Sequence, residues 1–154
     1  LAVHGRTRQC LYNGSAEYES IKKIKENVTI PVIANGDITS VEKAKFVLDH
    51  TGADAVMIGR GAQGAPWIFN EIDHYLKTGE QLAPLENTAI AAILLGHVQA
   101  LHSFYGEVMG PRIARKHVGW YLKEQDQSGY FKRQFNAIAC PIGQLNALET
   151  YLNH

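Results

Sequence analysis

The sequence predicts two architectures in succession: an α/β segment built on a parallel sheet, then a segment made of helices alone. Three observations carry this. Short apolar runs at 1–3, 31–34 and 55–58 end in glycine-rich polar turns. The first two are each followed by a helix-like stretch, which is the rhythm of βα units. After Gly59-Arg60-Gly61 the strand pattern does not return, and apolar residues recur at three- and four-residue steps instead.

Between the first two strands, 18–26 reads as a helix with Ile21 and Ile24 on one face and Lys22, Lys23 and Lys25 on the other. Ser40 opens the next helix, whose stripe is Val41, Ala44, Phe46, Val47 and Leu48, and Gly52 stands where a C-cap is needed. A further helix follows near 70–76. Residues 77–85, with Gly79 and Pro84, read as a linker. Ile90, Ile93, Leu94, Val98, Leu101 and Phe104 then mark one amphipathic helix ending near Gly106. Gly110-Pro111 starts another that runs to Glu124, because Pro at the first helical position gives up no hydrogen bond. Gly129 precedes a helix over 130–139, and Pro141 starts the last one.

The chain has 154 residues, 45% of them apolar, enough for a real core. A formal net charge of +0 carries no global signal, but the charges are unevenly placed. From Pro111 to Arg133 six basic residues stand against Glu124 and Asp126. From Asn70 to Gly110 Lys77 alone faces five acids. Cys10 and Cys140 are isolated, which argues against a disulfide framework or a zinc site and for a reduced, cytoplasmic setting. No apolar run approaches the roughly 18 residues needed to span a membrane.

Three parallel strands cannot close a sheet, whereas a TIM (β/α)8 barrel has eight. In such barrels the loops after the last strands commonly hold a phosphate, since glycines admit backbone NH groups close to the anion. Asn35-Gly36-Asp37 and Gly59-Arg60-Gly61 supply a matched pair, 24 positions apart. Arg60 adds a guanidinium suited to phosphate oxygens. His4-Gly5-Arg6-Thr7 ends the first strand at the same edge. The fold expected is α/β: a C-terminal portion of a TIM barrel, about three βα units over 1–76, followed after the 77–85 linker by an all-α helical domain over 86–154.

The runs VHGRT (3–7), PVIANGDI (31–38) and ADAVMIGRGAQGAPWIF (53–69), followed by the helical tail, closely resemble the tRNA-dihydrouridine synthase family, in particular its bacterial B branch. The likeness extends over essentially the whole chain. It implies an oxidoreductase that reduces specific tRNA uridines to dihydrouridine with FMN and NADPH. The flavin passes hydride to uracil C6 and a cysteine delivers a proton to C5. By the resemblance FMN is held by His4, Asn35, Gly36, Asp37, Gly59 and Arg60. The family's cysteine and a flavin-contacting lysine belong to the first half of the barrel, so no catalytic residue is assigned in this chain, and the 154 residues alone are expected not to turn over. Cys10 is a loop residue, not a substitute for that cysteine. Tyr12 and Arg6 are placed near the extruded uridine.

On a helix over 111–124, Arg112, Arg115, Lys116 and Lys123 fall on one stripe, with Gly119 leaving room for close approach of a phosphate backbone. Ala114, Val118, Tyr121 and Leu122 lie opposite and should be core. The run RIARKHVGWYL resembles the tail by which the family grips tRNA, and Arg133 is added to the expected tRNA contacts. No metal and no membrane are expected; the partners are tRNA and the missing N-terminal half of the barrel. Two alternatives stay open: another FMN- or phosphate-binding barrel enzyme, and an RNA-binding module without catalysis.

Overall fold

A computed structural model describes residues 1–7, 9 and 14–153. The chain divides into two compact units, Leu1–Leu82 and Ala83–His154.

In the first unit β1 (Ala2–His4), β2 (Ile33–Asn35) and β3 (Ala55–Met57) form a parallel sheet in chain order. The register aligns Val3 with Ala34 and Val56, and His4 with Asn35 and Met57. Side chains alternate across a strand, so these two rows face opposite sides. The Val3 row joins the core of Ile21, Val32, Ala44, Val47, Ile68 and Ile72. That core is supplied by α1 (Glu19–Glu26), α2 (Val41–Thr51) and α3 (Ile68–Thr78). The His4 row is half-buried or exposed, which leaves one sheet face bare.

Local chemistry sets the helix ends. The Ser40 hydroxyl accepts from the Lys43 amide at 3.1 Å, an N-cap, and Gly52 closes α2 in the left-handed region at φ 67°. The strands run one residue later than expected at β1 and start two later at β2. Phe46 departs from the predicted stripe: it is half exposed and stacks on His50, with centroids 5.5 Å apart. The buried stripe of α2 is Val41, Ala44 and Val47.

The second unit contains α4 (Asn87–Tyr121), α5 (Tyr130–Ala137) and α6 (Pro141–Leu152). A straight helix would separate His97 from Tyr121 by about 36 Å. Instead the His97 ring nitrogen lies 3.2 Å from the Tyr121 hydroxyl, and the His97 and His117 rings are 4.8 Å apart. The helix therefore folds back on itself. The turn is Gly106, with φ 75° and ψ −179°, a conformation that only glycine adopts readily. The second arm starts directly after Gly106 and not at Gly110-Pro111, so Pro111 lies inside it. Gly110 serves the crossing: a Cβ there would stand 2.7 Å from His102 Cα. By length and composition α4 is long and apolar enough to cross a membrane, contrary to the sequence expectation. The hairpin splits that length in two.

Between the arms and α6, Gln144 is completely buried. Its amide donates to the Pro111 and Ile138 carbonyls at 3.1 and 3.3 Å, and its oxygen meets the His102 ring nitrogen at 2.8 Å. Ala114, Val118, Tyr121 and Leu122 are buried as expected. Phe104 is not: at 81% exposed it sits beside the turn, where the apolar rhythm no longer faces the core. Gly106→Ala forces a Cβ into the strained region and should cost about 1–3 kcal/mol. Thermal unfolding of the helical unit checks this, and an unchanged midpoint would contradict the hairpin.

Candidate functional site

The carboxyl ends of the three strands converge because glycines let their backbones touch. A Cβ on Gly61 would lie 2.3 Å from the Ile38 carbonyl oxygen and 3.3 Å from Thr39 Cα. The turn after β3 is therefore pressed against the turn after β2. Gly5 is packed as closely, with a Cβ position 2.4 Å from the Glu17 carbonyl, and its amide donates to the Asn35 carbonyl at 2.8 Å. Gly36, at φ 138°, abuts Ala16, and Asp37 follows at φ 49°, which Asp tolerates better than most residues.

From behind, the buried Tyr18 hydroxyl donates to the Gly36 carbonyl at 2.8 Å. Burial pushes the Tyr18 phenol up, and the Asp37 charge adds to this, so it stays a donor. Neither Tyr18 nor Ala16 carries a motif that marks it in the sequence.

The site's electrostatic centre is the Asp37 carboxylate. One oxygen accepts from the Arg6 guanidinium at 2.5 Å and from the Ala16 amide at 2.7 Å; the other meets Arg60 at 3.2 Å. Burial pushes this carboxyl up, but the Ala16 amide and the two guanidiniums outweigh it and hold it below the usual range. Arg6 is turned inward, with a side chain only 5% exposed, and also donates to the Gly14 carbonyl at 2.7 Å. It braces the loop, its guanidinium turned toward Asp37 and Gly14. Arg60, 53% exposed, lies at the mouth.

These groups line an open cleft of about 540 Å³ with His4, Asn35, Met57, Gly59 and Gly61. The Asn35 amide donates to the Met57 sulfur at 3.4 Å, and the His4 ring nitrogen lies 3.4 Å from the Arg6 carbonyl. At Gly59 an added Cβ would meet nothing within 4 Å among the described residues. Gly59 to Ala62 form a single 3-10 turn whose first internal donor is Ala62. At this cleft two guanidiniums, Arg6 inside and Arg60 at the mouth, stand against the single carboxylate of Asp37. Tyr12 and Cys10 lie outside the described residues.

In the helical unit the predicted basic stripe separates into two roles. Arg112, Lys116 and Lys123 are exposed, with Lys116 lying 5.0 Å over the Trp120 ring. Arg115 instead donates to the Ile138 carbonyl at 3.3 Å and ties the second arm to the α5–α6 connection. Arg133 donates to the Ser128 carbonyl at 3.1 Å and braces the turn before α5. The space at Gly119 is already taken, since a Cβ there would meet Lys132 Cε at 3.2 Å. Among the described residues no group of three His, Cys, Asp or Glu side chains is placed to hold a metal ion.

Removing the central charge tests the geometry. Asp37→Asn leaves Arg6 buried without its counterion and should cost about 2 kcal/mol, less than a fully dry pair because Asp37 keeps some solvent. Asp37 titrates lower when folded than when unfolded, so its stabilisation is complete above the unfolded value near 4 and is lost as pH falls through the lower folded value. Urea unfolding between roughly pH 5 and 2 should show that slope in the parent and a shallower one in Asp37→Asn. Equal slopes would mean the carboxylate is not held by these partners.

The whole chain, residues 1–154, matches the family model described as dihydrouridine synthase (Dus). Over all 154 residues it is 63% identical to a tRNA-dihydrouridine synthase B of Vibrio vulnificus (strain CMCP6), covering 100% of this chain and 48% of that relative. It is 60% identical to one of Vibrio cholerae serotype O1 (strain ATCC 39315 / El Tor Inaba N16961), again over 100% of this chain and 48% of the relative. For one of Serratia marcescens the identity is 58%, over 100% of this chain and 46% of the relative. The chain spans about half the length of these curated relatives.

Proposed function

Since the chain belongs to the dihydrouridine synthase family, we propose that it works within an enzyme that reduces tRNA uridines to dihydrouridine, using FMN and NADPH, in the cytoplasm. When bound, FMN supplies the hydride for the uracil ring after being reduced by NADPH. The residues present fit its phosphate. Arg60 reaches the mouth of the cleft, the Gly59 to Ala62 turn presents amides, and Gly59 leaves the approach open. Asn35 and His4 line the same cleft from the neighbouring strand ends. Asp37 takes a different part from the one its motif suggests: a carboxylate would repel a phosphate, and this one instead sets the position of Arg60 while Arg6 holds it from below.

The contact between Gly61 and the Ile38 carbonyl carries this reading, since it makes two turns one site. The parallel sheet, covered by helices on one face and bare on the other, supports βα units of a TIM barrel whose interior is the bare face. The barrel part is assigned to 1–76, the linker to 77–85 and a tRNA-binding domain to 86–154. Arg112, Lys116 and Lys123, exposed along one arm, suit phosphates of a folded RNA recognised by shape. No residue of this chain is assigned as proton donor.

The intact protein should carry visible flavin absorbance, or gain it on addition of FMN. Arg60→Ala should weaken FMN binding about tenfold, the worth of a charge-assisted contact. Absence of flavin under both conditions would remove the cofactor from the reading. For the tail, replacing Arg112, Lys116 and Lys123 together with Ala should flatten the salt dependence of tRNA binding by about two units of slope. A slope equal to the parent's would exclude these residues from the RNA contact.

A further inference from the structure

We propose that Lys132 is a phosphate-contacting cation of the helical unit's basic stripe, and that Gly119 is a positioning residue whose missing side chain gives Lys132 its seat. The proposal rests on the reading of this unit as an RNA-binding surface.

Gly119 sits on the second arm of α4 between Lys116 and Lys123. A Cβ at this position would stand 3.2, 3.5 and 3.7 Å from Cε, Nζ and Cδ of Lys132. The lysine stem thus crosses from α5 and lies on the bare backbone of α4, which brings its ammonium to the stripe. Together with Lys123, Gly129 and Asp126 it lines a shallow hollow of about 240 Å³.

The acid in that hollow is already committed. Asp126 accepts from the Lys132 and Phe131 amides at 2.8 and 3.4 Å and from the Ser128 hydroxyl at 3.2 Å, closing the start of α5. Among the described residues the Lys132 ammonium forms no ion pair, and Lys123 meets only the exposed Glu124 at 3.9 Å. Two ammonium groups on flexible stems, point charges without a planar fork, suit backbone phosphates. Within the helix Gly119 carries a cost, since glycine is the poorest helix former after proline. The seat it makes for Lys132 accounts for that cost.

The test uses the intact protein and an unmodified tRNA transcript, with affinity measured across a salt series. Gly119→Gln alters no charge but fills the seat. It should lower the salt slope by about 0.7–0.9, one phosphate contact, while the thermal midpoint stays or rises because a helix former has replaced glycine. Lys132→Ala should lower the slope by the same amount, the double variant by no more than either single, and Lys132→Arg should restore it. A parent-like slope in Gly119→Gln, or additive losses in the double variant, would overturn the proposal. If the Arg112, Lys116 and Lys123 replacement also leaves the slope unchanged, the RNA-binding reading itself fails. If that replacement flattens the slope while Gly119→Gln and Lys132→Ala do not, the Lys132 proposal alone is wrong.

Discussion

The Asp37 carboxylate, held between Arg6, Arg60 and the Ala16 amide, is the interaction on which the strand-end site depends. Each partner comes from a different stretch of chain: the turn after β1, the turn after β3 and the segment leading to α1. One carboxylate therefore ties three stretches of backbone together, beside the hydrogen bonds that Gly5 makes with Asn35 and Glu17. Because Arg6 is almost fully enclosed, the pair is costly to break, and the cost falls on the geometry of the cleft. The carboxylate's place among two guanidiniums is thereby explained. It neutralises the inner guanidinium and leaves the outer one turned to the mouth.

Glycines make that convergence possible, and the helical unit uses the same device. Gly5 and Gly61 allow carbonyl oxygens of neighbouring turns within distances that any Cβ would forbid. Gly110 lets the second arm of α4 meet the first at His102, and Gly106 turns the chain between them. Within each unit, backbone packed on backbone places the polar groups. Gln144, wholly buried and bonded to His102, Pro111 and Ile138, then fastens both arms to α6. A buried polar group satisfied on this many sides rigidifies its surroundings.

Periodicity and punctuation made the order of elements legible. Ser40 and Gly52 bound α2, Pro141 starts α6, and short apolar runs ending in glycine turns placed the strands to within two residues. The glycine turns likewise marked where the strand ends come together, because Gly5 and Gly61 pack where a Cβ would clash with a neighbouring carbonyl. What stayed hidden was contact at long sequence separation. The Tyr18 hydroxyl on the Gly36 carbonyl and the Ala16 amide on Asp37 have no local signature. Nor does the difference between Arg112, which faces outward, and Arg115, which bonds the Ile138 carbonyl from the same helix. Gly119 appeared in the sequence as a gap for a ligand, whereas Lys132 from another helix fills it. Pro111 misled the reading of α4, since a proline rule fixed on the nearest Gly-Pro pair while the true turn lay at Gly106.

The central claim is that the turns after β2 and β3 form one phosphate site. Binding of FMN compared with riboflavin, which lacks the phosphate, measures this directly in the intact protein. The account predicts that FMN binds at least about a hundredfold more tightly, as expected for two or more charge-assisted contacts, and that Arg60→Ala lowers that preference about tenfold. Equal affinity for the two flavins, or a preference untouched by Arg60→Ala, would contradict it.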